Sequence, residues 1–147
     1  MSLKYPHETI IMERTPNAAY IYDKPDKREA LEDTRRHQEA VEQLMKAIAL
    51  EIETRATYHD YTKFKYEDLS FPEHMILERH HLNMEPGVPG DVNVIDLVEF
   101  ICDCVSAAAQ RSQTLNFNYL KVNESLLQPI INNTSFDLWK IIKVKMK

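Results

Sequence analysis

Residues 27–52, KREALEDTRRHQEAVEQLMKAIALEI, decide the fold class. Ala30, Thr34, His37, Val41, Leu44, Ile48 and Ile52 fall three or four positions apart, the spacing of one helical face. Asp26 with Glu29 three residues on has the form of a capping box, so the helix is expected to begin there. His37 falls inside the apolar stripe and is expected to face the interior.

Upstream, residues 1–25 carry Pro6, Pro16 and Pro25 between short β-branched or aromatic patches, Thr9-Ile10-Ile11 and Tyr20-Ile21-Tyr22. This reads as an extended arm laid on a single helical domain, residues 26–147. Downstream, residues 57–69 predict a short helix or turn. Ser70-Phe71-Pro72-Glu73 opens a helix expected to reach about Leu82 and to end in His80-His81. Residues 83–90 hold both glycines and two prolines, a firm break. Asn93, with Asp96 three residues on, caps a further helix whose apolar face is read as Val94, Ile95, Val98, Ile101, Cys102, Val105 and Ala109. After a polar stretch over 112–122, two short helices are expected at about 124–131 and 135–146, the second capped by Thr134. The body is therefore all-α.

The chain is 147 residues long, 44% hydrophobic and 28% charged, a balance that supports one domain with a core. Gly87 and Gly90 are its only glycines, so neither a Walker A loop nor a dinucleotide fingerprint can be written with it. The net charge of −5 and the absence of a basic stripe exclude a general nucleic-acid surface. The one dense basic stretch, Lys140, Lys143, Lys145 and Lys147, is expected to complement the dipole of a closing helix. Cys102 and Cys104 are two apart on a helix and face different ways, which provides no disulfide framework. With no signal-peptide pattern and no run long enough to span a bilayer, a soluble, reducing, cytoplasmic setting is expected, with no membrane partner. Oligomeric state is left open.

Chemistry concentrates in histidines and aspartates. His37 lies on the long helix, His59-Asp60 follows it, His80-His81 closes the next element, and Asp103 sits within the helix after that. In a bundle, inward side chains from neighbouring helices converge, which is how metal sites are built there. Each residue alone reads better as a satisfied core group than as a ligand. Several imidazoles and carboxylates converging without a cation would be costly to bury. Imidazole plus carboxylate, without thiolate spacing, suits a divalent ion, either a first-row transition metal or Mg²⁺. Adjacent histidines on a helix diverge by about 100°, so one ion is expected not to take both His80 and His81.

The order His37, His59-Asp60, Asp103, with His80 and His81 between the second and third groups, resembles the HD-domain metal-dependent phosphohydrolase superfamily over roughly residues 30–110. Asp60-Tyr-Thr-Lys63 completes the H-D-x-x-K form of several of its families. The resemblance implies an HD-like helical bundle and a metal held by His37, His59, Asp60 and Asp103. It implies a phosphohydrolase acting on a nucleotide or another small phosphorylated molecule. Lys63 would contact phosphate, and Glu99, one turn before Asp103, would orient a ligand histidine or the attacking water. His80 and His81 would serve a second metal or the substrate. Two alternatives stay open: an HD-like di-iron oxygenase, and a non-catalytic helical module stabilised by metal.

Overall fold

The computed structural model describes residues 8–16, 27–84, 86–111 and 113–145. Helices dominate it: α1 (Lys27–Tyr58), α2 (Thr62–Lys65), α3 (Phe71–Leu77), α4 (Val94–Gln110) and α5 (Leu127–Lys140), the last entered through a 3₁₀ turn at Glu124–Leu126. Strands β1 (Ile10–Glu13) and β2 (Ile142–Lys145) pair in parallel, Ile10 with Ile142 through Glu13 with Lys145. This small ribbon joins the two ends of the described chain. The all-α expectation holds for the body, and the β-branched patch at Ile10-Ile11 forms a strand because it finds a partner there. His7, Asp26 and the Tyr20-Ile21-Tyr22 patch lie outside the described residues.

The C-terminal region differs from the sequence reading. One continuous helix, α5, replaces the two expected, with Pro129 in its first turn, where a missing N–H costs no helical bond. Thr134 does not cap a helix. Its hydroxyl accepts from the Val94 N–H at 2.9 Å, while the Asn133 amide donates to the Val92 carbonyl at 2.9 Å, so α5 holds the entry to α4. Lys143 and Lys145 belong to β2 and not to a helix end.

The core gathers Leu82, Val92, Phe100 and Ile130, with Leu97, Leu120 and Leu126 packed around them. Neither long helix buries its apolar stripe throughout, and each buries charged residues beside it. On α1 the buried residues are Ala30, Asp33, Glu51 and Arg55. On α4 they are Ile95, Asp96 and Phe100, whereas Ile101, Cys102, Val105 and Ala109 are exposed. The Asn93–Asp96 capping box is present in both directions. Among the described residues no helix is long and apolar enough to cross a membrane.

Candidate metal centre

Helix α1 ends at Tyr58, and the chain turns sharply because Asp60 adopts a left-handed backbone, φ 55°. Aspartate tolerates this region better than most residues, yet a non-glycine there is held by its surroundings. The turn points the Asp60 carboxylate back into the molecule. Oδ1 lies 3.4 Å from Nε2 of His74 and 3.4 Å from Nε2 of His80, and Oδ2 lies 3.4 Å from His59 Nε2. Lys63, on α2, reaches Oδ2 at 3.2 Å.

The helix expected to reach Leu82 stops at Leu77, and Glu78 is extended. Tertiary charge pairs outweigh another helical turn. The Arg79 guanidinium forks onto Asp96, Nε to Oδ1 and Nη2 to Oδ2 at 2.9 Å each, and also donates to Asp91. Glu78 accepts from the Thr62 hydroxyl at 2.7 Å. The segment is pinned on both sides of His80, which is 1% exposed. Because His80 and His81 are not on a helix, the divergence expected of them does not apply. Their rings lie 4.3 Å apart, tilted by 38°. Gly87 packs behind them: a Cβ there would meet His81 Cβ and O at 2.9 Å, which ties that turn to glycine.

Helix α4 supplies the carboxylates opposite. Glu99 Oε2 accepts from His59 Nδ1 at 2.9 Å and lies 3.1 Å from His80 Nδ1, while its Oε1 accepts from Arg55 at 2.9 Å. Arg55 also donates to Asp96 at 2.8 Å. One turn on, Asp103 Oδ1 lies 3.1 Å from His59 Nε2, and Oδ2 lies 4.0 Å from His80 Nε2.

These contacts set the charges. Hydrogen bonds to Asp103 and Glu99 raise His59 to about 10. The Asp103 carboxyl is lowered, chiefly by the same His59 bond. Burial opposes ionisation of Glu99, but His59, His80 and Arg55 overcome it and hold the carboxyl far below its ordinary range. Burial depresses His81 to about 4, with the neighbouring His80 and His74 adding to the shift. Burial also lowers His74.

Of the residues singled out in the sequence, His59, Asp60, His80, His81, Glu99 and Asp103 come together, with Lys63 at the edge. His37 does not. It is exposed, and it sits on the helix that leads into His59, 22 residues earlier, about 33 Å along the axis at 1.5 Å per residue. His74, which shares no motif, is buried to 5% exposure and joins the cluster. Arg55 and Glu78 were also not singled out. Glu51, Arg55 and His59 recur every four residues, and that polar stripe is the signal that could have found Arg55.

Three groups have ligand atoms all within 4.8 Å of one another: His74, His80 and His81; His59, Asp60 and His80; Asp60, His74 and Glu78. Asp60 Oδ1, His74 Nδ1, both His80 nitrogens and His81 Nε2 are buried without a hydrogen bond. Such orphaned donors and acceptors are rare and costly; a cation between them would satisfy Asp60 Oδ1 and His80 Nε2, which lie 3.4 Å apart, while His80 Nδ1 faces Glu99 at 3.1 Å. The separations fit as well. Metal bonds of about 2.1 Å place neighbouring ligand atoms about 3.0–3.4 Å apart and opposed ones about 4.2 Å apart. The cluster floors a cleft of about 1110 Å³, whose further walls include Phe71, Met84, Arg111, Asn116 and Tyr119. Comparison with known proteins finds no matching family model, no matching curated protein and no matching solved structure.

Proposed function

We propose that this chain is a metal-dependent phosphohydrolase of HD-like helical architecture, acting on a nucleotide or another small phosphorylated molecule. The observation that carries the reading is the division of labour at Glu99. Its carboxylate occupies the Nδ1 side of His59 and His80, which leaves both Nε2 atoms directed at Asp60 and Asp103. Histidines oriented through the far nitrogen by a carboxylate are how protein metal sites fix ring and tautomer. His59, His80, Asp60 and Asp103 would hold one divalent ion, with His80 in the place first given to His37. Such an ion, when bound, lowers the pKa of a coordinated water and polarises a phosphoryl oxygen.

The remaining work falls to the chain. Arg55 anchors Glu99, so the carboxylate cannot turn away from the two rings. Lys63 stands at the cleft with its side chain half-exposed and only a point contact to Asp60, free to swing onto a phosphate oxygen. The cleft is far larger than a phosphate group, which leaves room for the rest of a small phosphorylated molecule.

One observation favours a second reading, a two-metal oxygenase: His74, His80 and His81 form a ligand group of their own. Elemental analysis of protein prepared without chelator, with a phosphate-release screen over nucleotides and sugar phosphates, tests both. The expected result is one equivalent of metal per chain, lost in His59→Ala and Asp60→Ala, with phosphate release abolished by chelator. Lys63→Ala should keep the metal and lose about 10²-fold in turnover. Two equivalents, falling to one in His74→Ala or His81→Ala, would move the reading to the oxygenase. Retained metal with no phosphate release on any substrate would leave a structural metal module.

A further inference from the structure

The cleft over the metal cluster has two large aromatic rings among its walls, Phe71 and Tyr119. They are 58% and 65% exposed, although both are tied to the segment that carries His80. Phe71 opens α3, and its ring lies 6.3 Å from the His81 ring at 72°, one imidazole away from His80. Tyr119 closes a turn onto the Asn116 carbonyl at 3.1 Å, and its own carbonyl accepts from the Asn83 amide at 2.9 Å. Among the described residues no other ring packs on either of them. Two apolar ring faces therefore stand open to water beside the metal centre, where a pocket meets its ligand.

We infer that Phe71 and Tyr119 are the specificity residues of this cleft, and that they stack on an aromatic base carried by the phosphate's leaving group. The substrate is then a nucleotide and not a plain sugar phosphate, an inference that rests on the phosphohydrolase reading above. Stacking suits this task because every base presents a π-face to an aromatic side chain. Two amides complete the wall. Asn83 donates its NH₂ to the Tyr119 carbonyl, which leaves its Oδ1 as an acceptor. Asn116 Oδ1 accepts from the Asn118 N–H at 3.0 Å, which leaves its NH₂ as a donor. Both amides line the cleft, and the edge of an unstacked base offers partners for each.

The charges of the cleft fit the same division. Arg55 is committed to Asp96 and Glu99, while Asp60, Glu99 and Asp103 all face histidines, so none of these is left to read sugar hydroxyls. Lys63, beside Asp60, marks the phosphate end. Apart from Lys63 and Arg55, the one Lys or Arg on the described wall is Arg111. Away from the cluster the cleft thus offers mainly ring faces and amides. A sugar phosphate without a base would leave both rings uncovered.

Phosphate release and isothermal titration on the full chain, with metal content measured on each sample, test this. Adenosine 5′-monophosphate is compared with ribose 5-phosphate, the same phosphate and sugar without the base. The nucleotide should bind at least about tenfold more tightly, and Phe71→Ala and Tyr119→Ala should each cut that preference at least about fivefold. Tyr119→Phe, which keeps the ring, should keep the preference. So should Phe136→Ala, which removes an equally exposed ring on α5 outside the cleft. Metal content should be unchanged in all four variants. A binding preference lost in the alanine variants, with no phosphate release from either compound, would support the aromatic pair and overturn the phosphohydrolase reading alone. Equal binding of the two compounds would overturn the inference. So would a preference that survives both alanine variants, or no binding of either compound.

Discussion

The two halves of α1 invert the ordinary relation between side-chain polarity and burial. Near its C-terminal end Glu51 and Arg55 are buried, with Arg55 7% exposed. Two turns earlier Val41 and Met45 face outward. What separates them is the availability of partners. Arg55 meets Asp96 and Glu99 on α4, which supply charge-assisted hydrogen bonds where all three side chains are less than a tenth exposed. Val41 and Met45 stay 39% and 65% exposed, with no such charge partners opposite them among the described residues. Burial along this helix follows what the fold sets opposite each residue.

The sharpest way to break that comparison is to remove Arg55. Arg55→Ala takes one of two guanidinium partners from Asp96, which keeps Arg79, and the only one from Glu99, which keeps His59, and should cost about 1–3 kcal/mol in urea unfolding. A loss below about 1 kcal/mol would mean the network is not what buries the end of α1. Asp137 sharpens the comparison from the other side, as a buried acid whose burial outweighs its partners Asn93 and Lys140. Burial raises its carboxyl, and Oδ2 has no hydrogen bond. A folded-state pKa above the unfolded value means that stability falls as pH rises through that window, the reverse of a salt-bridged aspartate. Asp137→Asn should therefore raise Tm by a few degrees at pH 7, about 1 kcal/mol, and the gain should shrink once the pH drops below the carboxylate range. Melts of both proteins at the two pH values check the sign. The smallest effect belongs to His37. His37→Ala should leave metal content unchanged and shift stability by no more than about 0.5 kcal/mol, as surface substitutions do. Loss of metal in that variant would return His37 to the site.

Part of the centre was legible because it is local. His59, Asp60 and Lys63 lie within five positions, on one turn that the chain makes wherever α1 ends. Asp103 and Glu99 were legible as neighbours on one helix face, and their meeting with His59 followed only by resemblance. His37 misled because it lies in the apolar stripe, and periodicity reports which face a residue shares without reporting what packs on that face. His74, seven residues before His81, reads in the sequence as a surface or cleft-rim residue, and the fold buries it instead.

From the residues alone come the helices, the Asn93 and Ser70 caps, the loop at Gly87 and the concentration of imidazole and carboxylate. These are set by interactions within a few residues, where spacing and hydrogen bonding to the adjacent backbone decide the outcome. The tertiary structure decided which faces are buried, where α3 stops and which histidines converge. Those outcomes rest on Arg55 and Arg79 finding Asp96 across 41 and 17 residues of chain. Paired charge at that distance can outweigh both an apolar stripe and a further helical turn, and nothing in local spacing encodes it.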